Sequence, residues 1–240
     1  MIFSRKKEKD IVFADITRSA YHMNPIAMAK DVPSHFQKSQ IKEFGKFNFP
    51  SCPGTMDYKR QGYIIPAWDD INILADKDGS LVFLGGSKNI KKTKFHSPKK
   101  MDPSLMKGVF QPQNEVKFDI WNVGSPWSVQ VSREVSALIL PAFYHSDFLT
   151  DLYVYPGIVD YSNKFSTVNF IFSAIKPCKI VIPSGTPLLQ VIPFKPDNIT
   201  AGYGPADDYQ LDKANSIFSS AKQFYRKYVM HKKSNTLELK

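Results

Sequence analysis

The chain has 240 residues, a formal net charge of +10, and 42% hydrophobic and 13% aromatic residues. That apolar content can offset the entropy of ordering a core, which excludes a disordered chain. The excess of base favours acidic partners such as nucleic acid, nucleotides or an acidic protein surface. No window reaches the roughly 18 uncharged apolar residues of a membrane helix, and Met1–Lys7 has no apolar stretch after its charges, so neither a membrane nor a secretory route is expected. Two distant cysteines, Cys52 and Cys178, support neither a disulfide framework nor a zinc knuckle and suit a reducing compartment.

Residues 1–60 read as an irregular lead-in. Asn24-Pro25 and Val32-Pro33 hold the residue before each proline extended, leaving room for one helical turn after Pro33. A β domain follows over 61–206. It opens with Tyr63–Trp68 and Asn72–Leu74, and the turn signal Asp78-Gly79 predicts a hairpin with Leu81–Leu84. Pro66 belongs at an edge or a bulge.

Residues 85–107 form a lysine-rich loop that is either solvated or a phosphate-contacting arm. Its candidate contacts to nucleic acid or an acidic partner are Lys91, Lys92, Lys94, Lys99 and Lys100.

Seven short apolar runs then follow at the spacing of an all-β sandwich or barrel: 116–121, 127–131, 135–140, 152–159, 166–172, 179–182 and 188–194. Trp68, Trp121 and Trp127 are expected in the core. Residues 207–240 predict an amphipathic helix and basic tail. Asp207, Asp208 and Asp212 lead it, Ile217, Phe218, Ala221, Phe224, Tyr225 and Tyr228 recur at helical spacing, and Lys232-Lys233 follow.

Catalytic signatures are weak. The five histidines (His22, His35, His96, His145 and His231) form no metal-ligand pattern, so no metal is expected. There is no nucleophile elbow, P-loop or dinucleotide fingerprint. Cys52 reads as a small residue before a turn.

One constellation stands out: Pro156-Gly157-Ile158-Val159-Asp160-Tyr161, a strand to Phe172, then Gly185-Thr186-Pro187-Leu188-Leu189-Gln190-Val191-Ile192. It resembles the C-terminal half of the dUTPase and dCTP deaminase superfamily, over about 60 residues. The resemblance implies a β-clip barrel, a trimer, and a nucleotide site centred on Asp160 with Tyr161 and Gln190 nearby, with Mg as the only cofactor. Catalysis is where the pattern departs. Tyr161 is adjacent to Asp160, Asn163 takes the stacking position, and Leu140–Tyr144 replaces the serine-containing phosphate loop. Bottom-up, Asp160 reads as a turn-forming carboxylate.

A second resemblance spans most of the chain. It is carried by Pro25–Phe36, Cys52–Asp57 with Gly62–Pro66, Ser125–Trp127, Pro156–Asp160 and Gly185–Phe194. These segments are similar to a family found in tailed bacteriophages, notably of marine bacteria and cyanobacteria. It implies a source rather than a reaction.

The expected fold is therefore mainly β, a β-clip-like or jelly-roll-like barrel or sandwich with an irregular N-terminal region and a C-terminal helix. The leading functional expectation is a non-catalytic phage protein without a cofactor, acting in the host cytoplasm or the virion. It would assemble with itself, a trimer being favoured, or with a phage or host partner. The alternatives are a nucleotide-binding or dUTPase-related enzyme with a degenerate site, and a nucleic-acid binder using the basic loop and tail.

Overall fold

The computed structural model describes residues 10–17, 24–33, 53–85, 99–102, 104, 118–162, 166–197, 200–202 and 204–212. Two compact units are distinguished, one of residues 1–37 with 58–196 and one of 38–57 with 197–240.

The first unit holds three antiparallel sheets. Sheet A orders β1 (Ile11–Asp15), β7 (Trp121–Val131), β11 (Ser166–Ala174) and β9 (Leu152–Val154), and β6 (Lys99–Lys100) also pairs with β7. Sheet B orders β10 (Gly157–Val159), β8 (Ser136–Pro141), β13 (Pro187–Phe194), β3 (Tyr63–Pro66) and β2 (Ala27–Met28). In sheet C, β4 (Ile71–Ala75) lies between β12 (Cys178–Ile182) and β5 (Leu81–Gly85). The fold is mainly β and sandwich-like. Among the described residues the sheets do not close into a barrel, so of the two forms expected the sandwich is the one adopted.

Alternation explains which residues face inward. Ile71, Ile73 and Ala75 of β4 are buried while Asn72 and Leu74 face outward. One cluster gathers Ile65, Ile73, Val123, Trp127, Phe170, Phe172, Leu189 and Val191, and so draws on all three sheets. Trp68 and Trp127 are buried, and Trp121 packs against the cluster.

The hairpin around Asp78-Gly79 forms as expected, with Ala75 opposite Leu81 and Gly79 at φ 89°. Two runs differ from the expectation. Of the runs read at 116–121 and 127–131, Trp121 and 127–131 join across the residues between them into the single long β7, Trp121–Val131. It crosses Gly124-Ser125-Pro126 by a bulge, since β11 steps from Thr167 opposite Ser128 to Asn169 opposite Gly124. Pro126, which has no N–H, is thereby spared a ladder bond. Conversely, 152–159 splits at Tyr155-Pro156 into β9 of sheet A and β10 of sheet B. Within the segment read as an irregular lead-in, Ile11–Asp15 forms β1, which takes its partner from distant β7. Pro66 falls at a bulge, as expected: a register shift between Pro187 and Leu189 lies beside it, and on its other side β2 pairs only with Tyr63 and Ile64.

In the second unit, helix α1 spans Pro53–Tyr58, its last residue counted with the first unit. A second helix begins at 208. Asp207 Oδ1 accepts from Gln210 N at 2.7 Å, and Gln210 Oε1 accepts from Asp207 N at 3.1 Å. This reciprocal capping box starts the C-terminal helix where the acids predicted it. The stripe from Ile217 to Tyr228 lies outside the described residues.

Candidate functional site

Asp160, Tyr161 and Gln190 carry the nucleotide expectation, and the fold gives each a different task. Asp160 is exposed just past β10, and its Oδ1 accepts from Ser162 N at 2.8 Å. That is the turn its residue type suggests. Hydrogen bonds from Ser162 hold its carboxyl below the usual aspartate range. Tyr161 turns inward and is 3% exposed, a member of the core rather than a stacking platform on the surface.

Gln190 is fully buried in β13, where Nε2 donates to the carbonyls of Tyr58 at 2.9 Å and Gln61 at 2.7 Å. Val159, the residue before Asp160, is opposite Ala137, whereas Gln190 is opposite Leu140. Those positions are three residues apart on β8, about 10 Å along the strand. The register thus sets Asp160 apart from Gln190.

Gln190 works with His145 instead. The ring Nδ1 of His145 lies 2.9 Å from the Pro33 carbonyl oxygen, and Nε2 lies 3.1 Å from that of Lys59. Two buried side chains therefore engage three carbonyls of the 58–61 segment, those of Tyr58, Lys59 and Gln61. The sequence signal for this clamp was a polar residue inside an apolar strand, which must find partners when buried. Beside it the Tyr58 and Tyr144 rings meet edge-on at 5.5 Å.

Burial, with a smaller contribution from Tyr144, pushes the Tyr58 hydroxyl up to about 12, and burial alone does the same for Tyr161. Both folded values lie above the unfolded value near 10. The stability these groups contribute is therefore intact below about pH 10 and is lost as the pH rises toward 12. An ultraviolet titration of tyrosinate should show these two rings among the last to ionise, together with a fall in unfolding midpoint over the same pH window.

Of the candidate cationic contacts, Lys91, Lys92 and Lys94 lie outside the described residues. Lys99 and Lys100 form β6, both exposed, and Lys100 Nζ pairs with Asp119 Oδ2 at 2.8 Å. Cys52 also lies outside the described residues. Cys178 is half-buried, and burial is the main cause that pushes its thiol up, away from the reactive thiolate form. Among the described residues no three His, Cys, Asp or Glu side chains gather as a metal site would require, and no helix there is long and apolar enough to cross a membrane.

The feature that sequence reading missed is on the outer side of sheet B. Residues paired across strands share a face, so Ile158, Leu138 and Ile192 form one row over β10, β8 and β13. Leu140 and Phe194 lie on the same side, at the levels of Gln190 and Ser136. The opposite side, with Ala137, Ile139, Leu189 and Val191, is in the core. Strands β8 and β13 are thus mainly apolar on both faces, with Ser136 and Gln190 on the outer one, a pattern of sheets covered on both sides. At the β13–β3 end the outer face is covered: Ile64, opposite Gln190, is buried with Ala29, Ala142 and Val32. At the β10 end, among the described residues, it is open. Ile158 is 66% exposed, and Leu138 and Ile192 are half-buried. Neither a protein-family model nor a curated protein matches this sequence.

Proposed function

We propose that this chain is a non-catalytic β protein that works by assembling, with a second copy or with another protein, through the outer side of sheet B. The single observation that carries this reading is the Ile158–Leu138–Ile192 row. A water-facing sheet alternates apolar with polar, whereas on this open face Ile158, Leu138, Ile192, Leu140 and Phe194 are apolar beside Ser136. The engagement of Asp160 in its own turn and the burial of Tyr161 and Gln190 favour the same reading over nucleotide chemistry. A phage source, acting in the host cytoplasm or the virion, is part of the proposal and rests on the sequence motifs alone.

The test is sedimentation velocity on the full chain across a range of concentrations. Native protein should run above its 27.3 kDa monomer mass. Ile158→Asp should weaken self-association by about tenfold or more, because it sets an unpaired carboxylate in an apolar contact. Ile158 is so exposed that its melting temperature should be nearly unchanged. A native protein that is monomeric throughout would remove self-assembly.

A further inference from the structure

We infer that the partner is a second copy of this chain, joined edge to edge through antiparallel β10 strands on a two-fold axis at Ile158. This rests on the assembly reading above and gives it a geometry. Among the described residues β10 pairs only with β8, so its outer edge presents unpaired backbone groups. An antiparallel pairing centred on Ile158 would place that residue opposite its own copy and Gly157 opposite Val159 of the copy. Sheet B would continue into its copy, and the apolar row would run unbroken as Ile192, Leu138, Ile158 and then the same three residues in reverse. A contact between identical patches of this kind is self-complementary by symmetry.

Charge selects this edge for a like-charged copy. A chain of net charge +10 repels itself wherever its lysines face each other. On the outer face of sheet C, Leu74, Val82 and Val181 are exposed too, but Lys179 sits opposite Leu74. Edge strand β6 is Lys99-Lys100. The β10 row carries no cation, and Lys195, just beyond Phe194, is paired with Glu134 at 2.7 Å. Asp160 and its copy would fall at opposite ends of the joint, where they do not meet. A three-residue edge is small, so the dimer should be concentration-dependent rather than permanent.

The test is disulfide trapping in a full-length Cys52→Ser, Cys178→Ser background that unfolds at the native temperature. Ile158→Cys would bring two thiols face to face, because directly opposed residues of antiparallel strands have Cα atoms roughly 4.5–5.5 Å apart, within disulfide reach. Mild oxidation should double the mass of Ile158→Cys and leave Lys179→Cys, on the edge of sheet C, monomeric. If Ile158→Asp weakens association but Ile158→Cys does not crosslink, or a discrete trimer forms, the two-fold edge joint is overturned while assembly through this face stands. A native chain that is monomeric at every concentration overturns the edge joint and self-assembly together, and leaves only assembly with another protein.

Discussion

Gly62→Ala should be the most damaging single-methyl change in the protein, costing about 3–5 kcal/mol or preventing folding altogether. Gly62 sits at φ +69°, a left-handed conformation that strains residues with a Cβ. A Cβ there would lie 2.1 Å from the Val191 carbonyl oxygen and 2.9 Å from Ile192 Cα, both backbone atoms of the central strand β13. Neither can move without breaking the ladder. The Gly62 carbonyl also accepts from Ala29 N at 2.9 Å, so the loop cannot swing away freely. Gly157→Ala is the control, since open space surrounds that position. Urea unfolding at low protein concentration should separate them, Gly157→Ala lying within about 0.5 kcal/mol of native. Equal, small effects from both would show that the close approach of loop and strand does not exist in solution.

Phe170→Ala should be the costliest of the core truncations, at about 3–5 kcal/mol. The ring is fully buried, stacked on Phe172 at 4.6 Å and 28° and edge-on to Phe148 at 6.4 Å. Its loss leaves a cavity between sheet A and the Phe148–Thr150 turn, and the aromatic contacts add to the apolar area removed. For a domain of this size the melting temperature should fall by roughly 10 °C. Phe143→Ala, at a half-exposed ring, should leave the melting temperature almost unmoved. Comparable drops in the two variants would mean that the rings do not differ in burial as described.

The strands were legible because their runs carry the two-residue period and are fenced by proline and glycine. The hairpin at Asp78-Gly79 was legible because its turn chemistry is local. What could not be read was pairing. Runs that look alike in sequence, such as 152–154 and 157–159, divide between two sheets because Tyr155-Pro156 redirects the chain. The bulge at Ser125-Pro126 hides a continuous strand behind residues that usually end one. Ile11–Asp15 was invisible because an edge strand of five residues is made by its partner, not by its own composition.

The site was legible in the same partial way. Asp160 adopts the turn its side chain favours by itself, a local property. That Tyr161 is core and Gln190 a clamp depends on which way the loop after β10 and strand β13 face. Leu138, Leu140, Ile158 and Ile192 were read only as strand formers. An apolar residue in a strand looks the same in sequence whether it faces the core or an open side, and only the register tells the two apart.

The place of β13 in sheet B also fixes an order of events during synthesis. Without β13, that sheet falls into two separate pairs, β2 with β3 and β8 with β10, and two-stranded pieces are barely stable in water. β13 is the last strand in sequence among the described residues, so β3 must wait on the order of ten seconds at usual translation rates for the neighbour that joins it to β8. Ile192, one end of the outer row, arrives with that same strand. The growing chain therefore cannot present the completed row before its fold is nearly finished, and neighbouring copies made on one message have no finished surface to meet until each has been built through β13.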